Sequence, residues 1–359
     1  MLRFVYDQSG AERWLAALPG RRPLFACVLG FTETCLIPGI SAAGSTPEAR
    51  RLTAPGDGEV LLSGCSRRLP TAPEGYPSPV VIARAVIELL GLDVVVFDAG
   101  LSEPCAGAVD LGGQPAACLS GGRALPPAVV GHLFAEGVRW GERLAGRGDY
   151  LAVGECVAGG TTTALAVLRG LGFAADGLVN SSHPTCNHDQ KRRVVEDALS
   201  AAALAPAAPA LAVLAAVGDP AQPALAGIAV GASRGGAVLL AGGTQMLAVA
   251  ALAERLAREL AEPWQPERVL VGTTRWVAAD PSASAARLAE LLGAVPLVAG
   301  DLDFTASRIA GLRAYERGYV KEGVGAGGLI VAAHLAGIPH DRLRAAVEAV
   351  CDRMHVDRV

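Results

Sequence analysis

Short apolar runs that end in glycine or hydroxyl residues recur along this chain, and most lead into an apolar pattern at helical spacing. The first strong run covers 24–29 and continues into Gly30-Phe-Thr-Glu33-Thr34. Residues 59–63 and 93–97 read as buried strands, with a helix over 78–90 between them. The runs 151–153, 237–240, 269–271 and 296–298 extend the set. Helical patterns separate the later members at 161–171, 191–203, 244–260, 282–292 and 306–317. This alternation predicts an α/β fold, doubly wound, with a mostly parallel sheet, helices on both faces and a small additional helical part. No internal repeat is visible. Ligands of such sheets sit in the loops at the carboxyl ends of the strands. The candidate loops are 154–163, 180–188, 242–244 and 273–280.

Two segments depart from the alternation. Ile37-Pro-Gly-Ile-Ser-Ala-Ala-Gly-Ser-Thr-Pro47 is too rich in turn residues for regular structure, but its apolar residues argue that it packs inward. Residues 198–218 carry no charge over a length that would cross a bilayer. They are mostly alanine and contain Pro206 and Pro209, so two buried helices joined by a proline-containing connection are expected instead. Residues 1–317 form the expected core, and 318–359 add a glycine-dense loop and two short helices, 327–335 and 341–354, that complete the active site.

Composition narrows the function classes. The net charge of −4 offers no basic footprint for nucleic acid. Eight scattered cysteines without a CxxC pair suit reduced thiols in a cytoplasmic protein better than a disulfide framework. The N-terminus lacks the basic-then-apolar plan of a signal peptide.

The most informative stretch is Tyr150-Leu-Ala-Val-Gly154-Glu155-Cys-Val-Ala-Gly159-Gly160-Thr161-Thr162-Thr163. A strand leading through glycines into a helix start aims unpaired N–H groups and the positive helix end at one anion. The spacing nearly spells a triphosphate loop, but Gly160 stands where that loop needs lysine. A monophosphate seat fits better; a plain capped turn is the alternative. Ala241-Gly242-Gly243-Thr244-Gln245 is a second turn of this type, with the same alternative. In 179–188, Ser181 and Ser182, with Lys191 opening the next helix, suggest a second oxyanion or ribose contact. His183, Cys186 and His188 are too crowded in one loop for a zinc site, so no metal and no cofactor is expected. In Tyr319-Val-Lys321-Glu322-Gly323-Val-Gly325-Ala-Gly327-Gly328, glycines surround one carboxylate. Glu322 is either an exposed helix-start acid or, if desolvated, a working general base.

Together these segments resemble the nicotinate-nucleotide–dimethylbenzimidazole phosphoribosyltransferases. Glu155-x4-Gly160-Thr161-Thr162 is similar to their signature loop, and Lys191-Arg-Arg-Val-Val-Glu-Asp-Ala-Leu199 to the helix after their second glycine loop. Glu322-Gly-Val-Gly-Ala resembles the segment that carries their catalytic base. Cys-Val-Leu-Gly-x-Thr-Glu-Thr, the segment 37–47 and Gly-Gly-Thr244-Gln245 are closest to the archaeal and cyanobacterial branch. The likeness runs from Phe25 to Ala336 in consistent order. It implies transfer of phosphoribosyl from nicotinate mononucleotide to an aromatic base, giving the α-ribotide of the cobamide lower ligand, and it implies a homodimer. Glu322 is then the general base, and Glu155 orients ribose or steadies positive charge. Gly159, Gly160, Thr161, Thr162, Ser181, Ser182, Lys191, Gly242, Gly243, Thr244, Gly323 and Gly325 bind the substrates. The Pro-Pro-x-Ser-Leu-Gly segment with which bacterial members help bind dimethylbenzimidazole is absent, which leaves dimethylbenzimidazole, adenine or another base as acceptor. Small molecules are the expected partners, without nucleic acid or membrane. A nucleotide-binding sensor or assembly protein without transferase activity is the alternative function.

Overall fold

The computed structural model describes residues 2–18, 20–66, 75–205, 208–293 and 295–355. Its strands are β1 (Leu2–Tyr6), β2 (Leu24–Gly30), β3 (Val94–Asp98), β4 (Val109–Asp110), β5 (Leu151–Val157), β6 (Val238–Ala241), β7 (Val269–Thr274) and β8 (Leu297–Gly300). The helices before β5 are α1 (Gln8–Ala16), α2 (Pro47–Ser63), α3 (Val80–Leu90) and α4 (Pro127–Leu144). Between β5 and β8 lie α5 (Gly160–Gly170), α6 (His188–Ala202), α7 (Ala210–Val217), α8 (Ala221–Gly235), α9 (Thr244–Leu260), α10 (Arg275–Ala278) and α11 (Ala285–Leu292). The chain ends with α12 (Ala310–Arg313), α13 (Ala326–Leu335) and α14 (His340–Met354).

The strands form one sheet in the order β1-β8-β7-β6-β5-β2-β3-β4. Every pairing is parallel except that of β1 with β8. The chain steps outward from β2 to β4, returns to β5 beside β2, and then steps the other way. The junction of β2 and β5 is therefore a topological switch point, where a crevice opens beyond the strand ends. Alternation along β2 loads both faces. Leu24, Ala26 and Val28 join the core that includes α4 to α9, whereas Phe25, Cys27 and Leu29 join the one that includes α2, α3, α13 and α14.

α4 and α8 meet at backbone distance. A Cβ on Gly137 would lie 2.2 Å from Ala224 O, and one on Gly231 would lie 2.2 Å from Val138 O. No side chain larger than hydrogen fits at these crossings.

The doubly wound sheet agrees with the reading of the sequence, with two local corrections. The helix expected over 306–317 is only α12 and a 3-10 turn at Tyr315–Arg317, because Ser307 Oγ and Arg308 N donate to Glu348 of α14 and not into a helical turn. Residues 59–63 are the last turns of α2, not a strand. Thr46 caps that helix through Ala49 N, and Gly64 ends it in the left-handed conformation. Segment 37–47 does pack inward, since Ile40 and Ser41 are buried. Arg50 holds it through Gly44 O and Cys35 O, and Gln190 Nε2 donates to Pro38 O. The alanine-rich run is α7 and the end of α6; Pro206 lies outside the described residues. Among the described residues no helix is long and apolar enough to cross a membrane.

Candidate active site

A pocket opens at the carboxyl ends of β5, β6 and β7, next to the switch point. Its walls come from residues 155–161, 180–182, 243–245 and 320–324, closed on one side by residues 40–43, Thr53, Asp57, Ser78 and Pro79. Each piece is positioned by local chemistry.

β5 runs on through Val157, so Glu155 stands on the strand itself and not in the loop that follows. The turn is only Ala158-Gly159, with Gly159 at φ 84°, a conformation that glycine adopts without strain. α5 then starts at Gly160, and its first residues, Gly160 and Thr161, line the pocket at the end of the helix where N–H groups lack helical partners. α9 starts at Thr244 with no side-chain cap and opens on the same space. Two helix N-termini thus converge on one volume, and both favour negative charge there.

Glu322 is held by four donors. Thr273 Oγ1 (3.1 Å) and Thr274 N (3.1 Å) donate to Oε2, while Gly323 N (3.1 Å) and Gly327 N (2.9 Å) donate to Oε1. Its backbone is tied to its neighbours, for Val320 N donates to Ser182 O and Val324 N to Glu155 O. Val320, Lys321 and Val324 all have positive φ, at 65°, 62° and 55°. Left-handed β-branched residues are costly and persist only where surrounding contacts over-determine them. Those contacts fix where Glu322 points.

Lys321 supplies much of that constraint. Its Nζ lies 2.5 Å from Asp280 Oδ2, and both side chains are almost wholly buried. Asp280 also accepts from Asn180 Nδ2 (2.9 Å) and from Ser282 N and Oγ (2.9 and 2.7 Å). One carboxylate therefore ties the loop carrying Ser181 and Ser182 to the loop carrying Glu322. Burial alone would push the Asp280 carboxyl up, but the Lys321 ammonium and the hydroxyl and amide donors hold it down at about 2.

The other acids of the site behave in the opposite way. Burial raises Glu155 to about 8, helped by the charges of Asp219 and Glu322. Burial likewise raises Glu322 to about 7, against its four hydrogen bonds. It raises Asp57 to about 7 and Asp219 to about 6. Among the described residues lining the pocket the one cation is Lys321, which Asp280 already engages. An anionic ligand group must then rely on backbone N–H groups, while a cationic one would favour the ionised form of these carboxyls. Three buried polar atoms on these walls have no protein partner: Glu155 Oε2, Asn180 Oδ1 and Ser181 Oγ. Buried polar groups left in this state call for a ligand or water.

Of the residues singled out from the sequence, Glu155, Gly159, Gly160, Thr161, Ser181, Ser182, Gly243, Thr244, Glu322 and Gly323 line this pocket. Four do not. Lys191 is fully buried, and its Nζ donates to Val179 O (2.9 Å) and Asn180 O (2.8 Å), so it braces the loop and offers no charge to a ligand. Thr162 lies inside the protein behind the turn. Gly242 N donates to Gly272 O, within the sheet end. Gly325 packs against the Phe25 ring and Gly154. Conversely, Asp57, Asn180, Gln245 and Lys321 line the pocket without having been singled out. Lys321 sat beside Glu322 and Asp280 in a named loop, but nothing in their spacing announced a pair. No group of three His, Cys, Asp or Glu residues able to hold a metal occurs among the described residues. Cys186 Sγ donates to Asp280, and His188 contacts Ser282 O.

The model of a phosphoribosyltransferase family matches residues 81–270, more than half of the chain. The chain belongs to this phosphoribosyltransferase family. Relatives span its full length. A UPF0284 protein of Gloeobacter violaceus is 67% identical over 99% of this chain and 95% of its own. Another from Cyanothece sp. (strain PCC 7425) is 53% identical over 98% and 97%. Among solved structures, the phosphoribosyltransferase is similar to the nicotinate-nucleotide–dimethylbenzimidazole phosphoribosyltransferase of Thermus thermophilus. That match has a TM-score of 0.61 at 21% identity and covers 96% of this chain and 88% of that one. A structure named CobT from the same organism gives 0.63 at 21% identity, covering 95% and 89%. These structures share the fold, so the α/β architecture expected from the sequence stands, and the family expected stands on the match over residues 81–270.

Proposed function

We propose that this phosphoribosyltransferase moves the 5-phosphoribosyl group of nicotinate mononucleotide to an aromatic base, releasing nicotinate and giving an α-ribotide for the cobamide lower ligand. The observation that carries this reading is the meeting of a four-donor carboxylate, Glu322, with two helix N-termini in one pocket. The phosphate sits on the N–H groups of Gly159–Thr161 and Gly243–Gln245. A nitrogen of the base attacks C1′ as the C1′–N bond to the pyridinium breaks, and that electron pair stays on the ring nitrogen, now uncharged, of the departing nicotinate. The sugar carbon is cation-like between the two bonds, and its charge in turn favours the ionised form of Glu155, which burial raises to about 8. Glu155, whose Oε2 is unpartnered, orients the ribose beside it.

The base must also lose its N–H proton. A carboxylate offers about four lone-pair sites, and the protein donors fill those of Glu322. Three of the donors are fixed backbone N–H groups, whereas the Thr273 hydroxyl rotates and can yield its place. Glu322, raised to about 7, then takes the proton. We place the reaction in the cytoplasm, in a homodimer; the eight free cysteines support a reducing compartment.

The test is incubation with nicotinate mononucleotide and a panel of bases that includes dimethylbenzimidazole and adenine, with ribotide followed by mass. Glu322→Gln should abolish ribotide formation and leave mononucleotide binding nearly intact. Binding by the unaltered protein without nicotinate release from any base would favour a sensor or assembly role. Nicotinate release without added base would indicate hydrolysis.

A further inference from the structure

The transfer step leaves one buried pocket acid unused. Asp57 lines the pocket from α2, hydrogen-bonded to Cys156 and Ser78, in a wall that also includes Ile40, Ala42 and Pro79. The pocket can take a flat ring, because Ile40, Ala42 and Pro79 offer apolar surfaces. The position of Asp57 relative to the reacting centre follows from chain connectivity. Asp57 Oδ2 accepts from the thiol of Cys156 (3.2 Å), the residue after Glu155 on β5, and Oδ1 accepts from Ser78 Oγ (2.8 Å). Ser78 precedes Pro79, whose ring lies 3.5 Å from where a Cβ on Gly323 would stand, next to Glu322. Asp57 and Glu322 thus line one pocket from different elements, so a base whose reacting edge faces Glu322 has another edge free to meet Asp57.

The two donors on Asp57 leave about half of its acceptor capacity unfilled. A ring that fills the pocket expels the water that would otherwise satisfy the rest. An apolar edge would strand a buried carboxyl, which is costly, whereas an N–H donor would complete it.

Resting on the transfer reading above, we infer that Asp57 selects the acceptor, taking a hydrogen bond from an exocyclic amino group on the edge of the base that Glu322 does not face. The substrate class is then an amino-bearing aromatic base. A site built to bond a substrate N–H rejects the analogue that lacks it more strongly than an apolar site rejects an added polar group.

The test uses two near-isosteric probes, 5-aminobenzimidazole and 5-methylbenzimidazole. Binding to the whole protein is measured by calorimetry, and transfer is measured with nicotinate mononucleotide present. The expected result is a 10- to 100-fold preference for the amino probe in binding and in kcat/KM. Asp57→Asn, which keeps the shape and one oxygen acceptor, should reduce that preference several-fold. Asp57→Leu should reverse it; should that variant fail to fold, the unaltered protein and Asp57→Asn still decide. Equal binding of the two probes, or an Asp57→Asn variant that weakens both alike, overturns the inference and leaves phosphoribosyl transfer standing. Selective binding without nicotinate release overturns the transfer reading and leaves Asp57 as the selecting group. If neither probe binds, both fall.

Discussion

Breaking the Asp280–Lys321 pair is the sharpest perturbation of this site. Asp280→Asn keeps the side-chain shape and removes the charge, leaving the Lys321 ammonium buried without a counter-charge. Lowering an aspartic carboxyl from 3.8 to about 2 corresponds to about 2.5 kcal/mol of stability at neutral pH. Because the folded value is the lower one, this stability is present above about pH 4 and is lost as pH falls toward 2. Removing one partner of a buried pair typically costs about 3–5 kcal/mol, so the expected loss lies between those figures. Lys321→Met should cost a similar amount by stranding the carboxylate. The assay is equilibrium denaturation of both single variants and the double variant at neutral pH. The double variant should be at least ~2 kcal/mol more stable than the two separate losses imply, because the residues are in contact. The single variants should also raise KM for nicotinate mononucleotide, since Asp280 joins the two loops that face each other across the pocket. A loss below about 1 kcal/mol for Asp280→Asn, or losses that simply add in the double variant, would refute the reasoning.

Three further outcomes are expected. Gly327→Ala would put a Cβ 2.3 Å from Glu322 Oε2 and 2.4 Å from the Thr273 carbonyl carbon; the backbone there has no room to give, so ribotide formation should collapse and stability fall by about 1–3 kcal/mol. The kcat/KM profile should lose activity below about pH 7, where Glu322 becomes protonated, and Thr273→Val should move that limb upward by removing a donor to the ionised form. An unmoved limb in that variant would show that another group sets it. Nicotinate riboside, which lacks the phosphate, should show a KM raised at least ~100-fold; near-equal values would mean that the helix N-termini do not seat the phosphate.

Much of the layout was legible in the sequence because β2, β5, β6, β7 and β8 are buried on both faces and read as apolar runs. α9 could be bounded at Thr244–Leu260 from its pattern alone. α2 could not, because Pro55, Gly56 and Gly58 lie inside it and its last turn presents Val60, Leu61 and Leu62 in succession. A Cβ on Gly58 would lie 2.6 Å from both Cys105 Sγ and Leu29 Cδ1, so that glycine serves close packing, not a turn. α4 and α8 were hidden for a related reason: their mutual surface is glycine, which carries no hydrophobic signal. In the site, the glycine loops and Glu322 announced themselves through local composition. Lys191 misled because a lysine that opens a helix after a loop looks available, and only the fold shows its Nζ turned onto two carbonyls. Asp57 and Asp280 act through partners 99 and 41 residues away, a relation that local reading does not register.

The antiparallel pairing of β1 with β8 sets the order in which the molecule assembles. Leu2 lies opposite Gly300, so β1 meets its one strand neighbour only after the chain has been made through β8. Folding that depends on such distant contacts is slow, and the waiting edge is exposed meanwhile. Glu322 follows β8, and the loop that carries it docks on strands already in place. On the proposed reading, the two helix N-termini that would seat the nucleotide are therefore made before the loop that carries Glu322.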